Sequence, residues 1–149
     1  MELILWRHAE AHDGSPDIER ELTAKGLKQA DRMATFLRAR LPEDVRILVS
    51  PAKRTQQTAS ALTNHFITES SIGPGASPQS ILKVAGWPDA QECVLIVGHQ
   101  PTLGQVAANL LAKSSVGFSI KKGSVWWLNG NTQSDSQATL RLAIAPENL

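Results

Sequence analysis

The chain has 149 residues, 42% of them hydrophobic and 19% charged, which fits one domain spanning residues 1–149 with a single substantial core. Fifteen basic residues against fourteen acidic ones leave a formal charge of +1, so no whole-molecule field favours nucleic acid or a membrane surface. Its apolar runs are too short to span a bilayer, its single cysteine (Cys93) excludes an internal disulfide framework, and no basic stretch precedes a hydrophobic N-terminal run; the expectation is a cytoplasmic protein.

The first element is the apolar run Leu3-Ile4-Leu5-Trp6, which breaks into polar sequence at Arg7 and His8. Bulky apolar residues at successive positions predict a strand covered on both faces, as in an α/β protein. Leu27, Ala30, Met33, Ala34, Leu37 and Leu41 follow helical spacing, with Thr23 as the N-cap. A second strand ends at Val49; Ser50 then reads as an N-cap and Pro51 as the first position of a helix running from about Ala52 to Phe66, which places Arg54 in its first turn. The Gly- and Pro-rich section through Pro78 reads as a loop, followed by a short helix from Gln79 to Ala85 and a turn at Gly86-Trp87-Pro88. The third buried strand begins at Cys93, runs through Val97 and gives way at Gly98-His99 to a helix opened by Pro101. Ser124–Leu128 and Thr139–Ile144 read as two further strands joined by the polar stretch NGNTQSDSQ, with one of Trp126 and Trp127 in the core and the other at the surface. The predicted fold is a three-layer α/β/α sandwich around a mostly parallel mixed sheet.

Three buried strands thus end on Arg7-His8, on the segment leading to Arg54, and on His99. In open α/β sheets ligands bind beyond the carboxyl ends of the strands, and two arginines with two histidines there make a site for an oxyanion. Taken singly, Arg54 would be an exposed first-turn cation, mildly unfavourable beside the helix N-terminus unless an anion lies between them. His99 alone could be a satisfied core histidine, and Arg7-His8 a pair that merely solvates the sheet edge. His12 and His65 fall outside any motif, and Cys93 reads as a small buried hydrophobe.

The motifs together resemble the histidine phosphatase superfamily, with its phosphoglycerate mutase-like fold, and most closely its short phosphohistidine phosphatase branch of the SixA type. RHAEA is similar to the RHG motif, SPAKRTQQTA to SPxxRxxQTA, VGHQP to the GH motif, and Arg20 with LTAKGLKQA to the LTxxGxxQA segment. The resemblance implies a metal-independent phosphatase with no cofactor, in which His8 is the nucleophile and is transiently phosphorylated. It also implies that Arg7, Arg54 and His99, with Arg20 beside them, bind the phosphoryl oxygens. The chemistry suits such a set, because phosphoryl transfer spreads charge over oxygens that fixed guanidinium donors hold well. An imidazole attacks only through an unprotonated nitrogen, so His8 needs a partner on its other nitrogen, and a backbone carbonyl following Ala9 is the expectation.

Ala9 stands where the family pattern has glycine, and the larger relatives' inserted acid-bearing segment has no counterpart between Phe66 and Asp89. Glu69 and Asp89 are the carboxylates of that stretch, and Glu10 is the better-placed candidate acid. An alkoxide leaves poorly without a positioned acid, whereas a phosphohistidine imidazole can leave after protonation by water, so the expected substrate is a protein phosphohistidine, with small esters such as sugar phosphates second. A module that recognises phosphate without turnover is the alternative of a different class. Zinc is disfavoured because His8 and His12 are the only histidines at short spacing, and no GxxxxGK[ST] marks a nucleotide loop. The expected partners are a phosphohistidine-bearing protein and phosphate, with neither nucleic acid nor membrane.

Overall fold

The computed structural model describes residues 1–130 and 138–149. Its elements are β1 (Glu2–Arg7), α1 (Ala24–Arg38), β2 (Arg46–Val49), α2 (Lys53–Ser60), β3 (Ile67–Thr68), α3 (Pro78–Ala85), β4 (Val94–Gly98), α4 (Thr102–Ala112), β5 (Val125–Asn129) and β6 (Thr139–Ile144), with a short 3-10 turn at Asp17–Glu19 before α1. They build one six-stranded sheet in the order β3-β2-β4-β1-β5-β6. The three pairings from β3 to β1 are parallel, and β5 and β6 are added antiparallel, which gives the mixed sheet expected.

The central strands read as unbroken apolar runs because helices cover both faces. Leu3, Leu5, Leu48 and Ile96 point to a layer formed with Ile81 of α3 and Leu103, Val106 and Ala107 of α4. Their neighbours Ile4, Trp6, Val49, Leu95 and Val97 point the other way, onto Met33, Ala34 and Leu37 of α1 and Ala59 of α2. Side chains alternate across a strand, so each strand serves both layers.

Local signals account for several boundaries. The Thr23 hydroxyl accepts the Gly26 amide at the start of α1, and Ser77 accepts the Ser80 amide at the start of α3. Gly86 ends α3 at φ 72°, a left-handed cap that costs glycine little. Trp127 is in the core, and Trp126 is half-buried and stacked on Phe118.

Elsewhere the structure differs from expectation. α2 starts at Lys53 with Ala52 as its cap, because the Ser50 hydroxyl is taken up by His99 and by the Ala52 amide. It ends at Ser60 rather than near Phe66, and Ile67 and Thr68 pair instead with Leu48 and Val49 as the edge strand β3. Leu27, placed on the buried stripe of α1, is 48% exposed. The inward position there belongs to Gly26, since the Glu10 carbonyl packs so closely that a Cβ would collide with it. Within the NGNTQSDSQ connection, residues 131–137 lie outside the described residues.

Candidate active site

The strand pairings carry the motifs to one edge of the sheet. In the β1–β4 ladder Arg7 lies opposite Gly98, and the His8 amide continues the ladder by donating to the Gly98 carbonyl at 3.1 Å, so His8 and His99 leave adjacent strands side by side. Their rings stand 5.4 Å apart between centroids. The β2–β4 ladder extends in the same way, with the Ser50 amide donating to the Val97 carbonyl at 3.1 Å, and α2 then turns Arg54 back over the strand ends.

His8 is 7% exposed, and its Nδ1 lies 2.7 Å from the Ala9 carbonyl oxygen. A carbonyl only accepts, so Nδ1 carries the proton and Nε2 is left with its lone pair. The partner is the carbonyl of Ala9 itself rather than one further along the loop. Ala9 is anchored in turn, its amide donating to the Thr58 hydroxyl, which donates to the Arg54 carbonyl in α2. Burial pushes the His8 pKa down to about 4, and the nearby charges of Arg54, Arg7 and Arg20 push the same way against the Ala9 hydrogen bond.

His99 is 3% exposed and has partners on both ring nitrogens. Arg54 Nη2 lies 3.3 Å from Nδ1 and Ser50 Oγ lies 2.7 Å from Nε2. Arginine can only donate, so Nδ1 is the acceptor and Nε2–H donates to Ser50. Burial, with the charge of Arg54 next in weight, pushes the His99 pKa down to about 3. Both histidines are therefore neutral near pH 7.

The Arg54 side chain is 5% exposed, and besides His99 it reaches the 3-10 turn, donating from Nη1 to the Asp17 carbonyl at 2.9 Å and from Nη2 to Asp17 Oδ2 at 3.1 Å. Asp17 is the residue that the sequence reading missed. Its other oxygen accepts from Arg20 Nε at 3.0 Å, so one carboxylate joins the two arginines. Burial raises its pKa, but the hydrogen bonds from Arg20 and Arg54 prevail and hold it below the usual carboxylate range. Arg20 also donates to the His12 carbonyl at 3.1 Å, and so reaches the site through the 3-10 turn. Arg7 is half-buried, with Nη1 donating to the Ile120 carbonyl at 2.7 Å. Glu10, the candidate acid, accepts from the Thr23 hydroxyl at 2.8 Å and lines a surface groove beside Arg7. Among the described residues no cluster of three or more His, Cys, Asp or Glu side chains is arranged to hold a metal.

A family model described as histidine phosphatase superfamily (branch 1) matches residues 3–75. A Haemophilus influenzae phosphohistidine phosphatase SixA homolog is 32% identical over 133 residues, covering 76% of this chain and 79% of the relative. This chain belongs to the histidine phosphatase superfamily. As a member, it is a hydrolase of the phosphatase class. The phosphohistidine phosphatase SixA of Escherichia coli (strain K12) is 29% identical over 119 residues, 74% of each chain. In architecture, this histidine phosphatase superposes on the protein histidine phosphatase SixA complexed with tungstate with a TM-score of 0.84 at 22% identity, over 99% of both chains, which is a likeness of fold. No helix among the described residues is long and apolar enough to cross a membrane.

Proposed function

We propose that the chain hydrolyses phosphate from a protein phosphohistidine through a phosphorylated His8. The observation that carries this reading is the 2.7 Å contact of His8 Nδ1 with the Ala9 carbonyl, which leaves the Nε2 lone pair available to attack phosphorus. As the Nε2–phosphorus bond forms, the bond from phosphorus to the substrate imidazole breaks, and that imidazole takes a proton from water. Water then attacks the phospho-His8 phosphorus, releasing inorganic phosphate and restoring neutral His8.

Arg7 and Arg54 are the proposed ligands of the phosphoryl oxygens, and His99 joins them as a donor once an arriving phosphoryl oxygen displaces Arg54 from Nδ1 and that nitrogen takes up a proton, with Arg20 supporting Arg54 through Asp17. The Arg54 Nε and Arg7 Nε atoms are buried without a hydrogen-bond partner among the described residues. A buried donor left unpaired costs about 1–3 kcal/mol, which an arriving oxyanion would offset.

Two observations favour phosphohistidine over an ester. The carboxylate at the arginines, Asp17, is held ionised by them and is a poor proton donor, which an imidazole leaving group tolerates better than an alkoxide does. The Haemophilus influenzae and Escherichia coli relatives named above are both phosphohistidine phosphatases by name. The test is a turnover comparison between a phosphohistidine protein and a panel of sugar phosphates, with acid-quenched samples probed for phosphate on His8. Repeated phosphate release from the phosphohistidine protein is expected, abolished in His8→Ala. Full activity in His8→Ala would refute the covalent route, and efficient sugar phosphate hydrolysis that collapses in Glu10→Gln would move the assignment to esters.

A further inference from the structure

Arg7 faces more than the histidine pocket. It also lines a groove of roughly 550 Å³ running between the start of α1 and the turn before β5. Among the described residues six cationic side chains line that groove against two carboxylates, whereas the whole chain has fifteen against fourteen. The near-neutral molecule therefore concentrates positive charge at one place, directly beside the proposed site of chemistry.

The two carboxylates offset only part of that charge, since six cations against two anions leave a net +4. Glu147 is paired with Lys121 at 2.9 Å, and Glu10 accepts from Thr23. Among the described residues Lys25, Lys28, Arg32 and Lys122 make no salt bridge. Lys25, Lys28 and Arg32 follow one another at i, i+3 and i+7 on the exposed side of α1. Like charges at that spacing repel and weaken a helix by tenths of a kcal/mol per pair, so the row is a cost to folding that an anionic partner would remove.

We infer that this groove is a docking surface for carboxylate side chains flanking the phosphohistidine on its carrier protein. The inference rests on the function proposed above and adds the chemistry of the partner to it. A histidine side chain is short, so a phosphohistidine whose phosphorus reaches His8 brings its carrier's backbone down onto the rim of the pocket. Arg7 lines the groove and its charge acts on His8, so the groove adjoins the pocket and residues beside the phosphohistidine come within reach of Lys25, Lys28, Arg32 and Lys122. A protein fits better than a nucleic acid, because no aromatic side chain lines the groove to stack on bases.

The test compares two synthetic phosphohistidine peptides, identical except that glutamates or lysines flank the phosphohistidine, together with free phosphohistidine. The wild-type protein is expected to favour the glutamate-flanked peptide in kcat/KM by about tenfold, the combined effect of several exposed charge pairs, and to lose that preference in high salt. The double variant K28E/R32E should erase or reverse the preference through KM, with its rate on free phosphohistidine unchanged; K25E/K122E should repeat the result from other positions. Equal kcat/KM for the two peptides in the wild type, or a preference that survives K28E/R32E, would overturn the docking role. So would a parallel loss on free phosphohistidine, which would mean that the charges act on the pocket itself. A wild-type protein inert on all three substrates would instead remove the functional reading, and the groove's role with it. Retention on a single-stranded oligonucleotide without any peptide preference would assign the groove to nucleic acid.

Discussion

The two buried neutral histidines should make folding stability fall on mild acidification, and replacing one of them should remove about half of that fall. His8 is held at about 4, whereas in the unfolded chain it titrates at the ordinary histidine value near 6.5. Between those values the unfolded state binds a proton that the folded state refuses. The cost is absent above pH 6.5, grows as pH falls, and is complete below pH 4. Each unit of difference is worth 1.36 kcal/mol, which for His8 comes to roughly 2 kcal/mol between pH 7 and pH 5. His99, held at about 3, contributes about the same over that interval, so the pair should cost the wild type about 4 kcal/mol. That is a large share of the 5–15 kcal/mol typical of a domain. The assay is urea unfolding at pH 7, 6 and 5 in buffers free of phosphate and sulfate, on the wild type and on His8→Asn, whose amide can still donate to the Ala9 carbonyl. The variant should lose only about 2 kcal/mol from pH 7 to pH 5 through its remaining histidine. Equal losses in the two proteins would show that His8 takes up its proton in the folded state after all, and the desolvation argument would fail.

Gly26→Ala should destabilise the fold by about 1–3 kcal/mol in chemical denaturation, because its methyl would meet the Glu10 carbonyl, which is main chain and cannot swing aside. Cys93 should resist a thiol reagent at pH 8 in the native protein and react at once in urea, since burial pushes its thiol up to about 12. Arg54→Lys should lower kcat/KM by about a hundredfold with the charge retained, because an ammonium cannot span the Asp17 carbonyl, the Asp17 carboxylate and His99 as the guanidinium fork does. Steady-state rates on a phosphohistidine substrate measure the last of these, and a loss below threefold would mean that the fork geometry does not matter.

The central architecture was legible because its signals are local and strong. Runs such as Leu3-Ile4-Leu5-Trp6 and Val94–Val97 are buried on both faces, and the Thr23 cap announces α1 within a single turn. What escaped depends on contacts between distant segments. Ser50 followed by Pro51 carries a complete local signal for a helix start, yet a histidine 49 positions later claims its hydroxyl and α2 begins further on. Leu27 has helical spacing, but the backbone of the Glu10 loop decides which side of α1 turns inward. Asp17 gave no warning, since a 56% exposed carboxylate in a 3-10 turn has no periodicity to read, and its partner Arg54 lies 37 residues away. The placement of Arg54 beside His99 follows from α2 doing what a first-turn arginine permits; its clamp by Asp17 needed the folded chain.

The strand order has a consequence for how such a pocket comes into being. β1 and β2, which deliver His8 and Arg54, are not neighbours: β4 lies between them. Parallel strands gain their hydrogen bonds only after a crossover has been closed, and although residues 1–92 contain both arginines and the His8 nucleophile proposed for the reaction, no ladder joins β1 to β2 without β4. Val94–Gly98, lying in that gap, fixes the spacing of the other two strands and carries His99 at its end, so the whole anion site depends on this one strand as on a keystone.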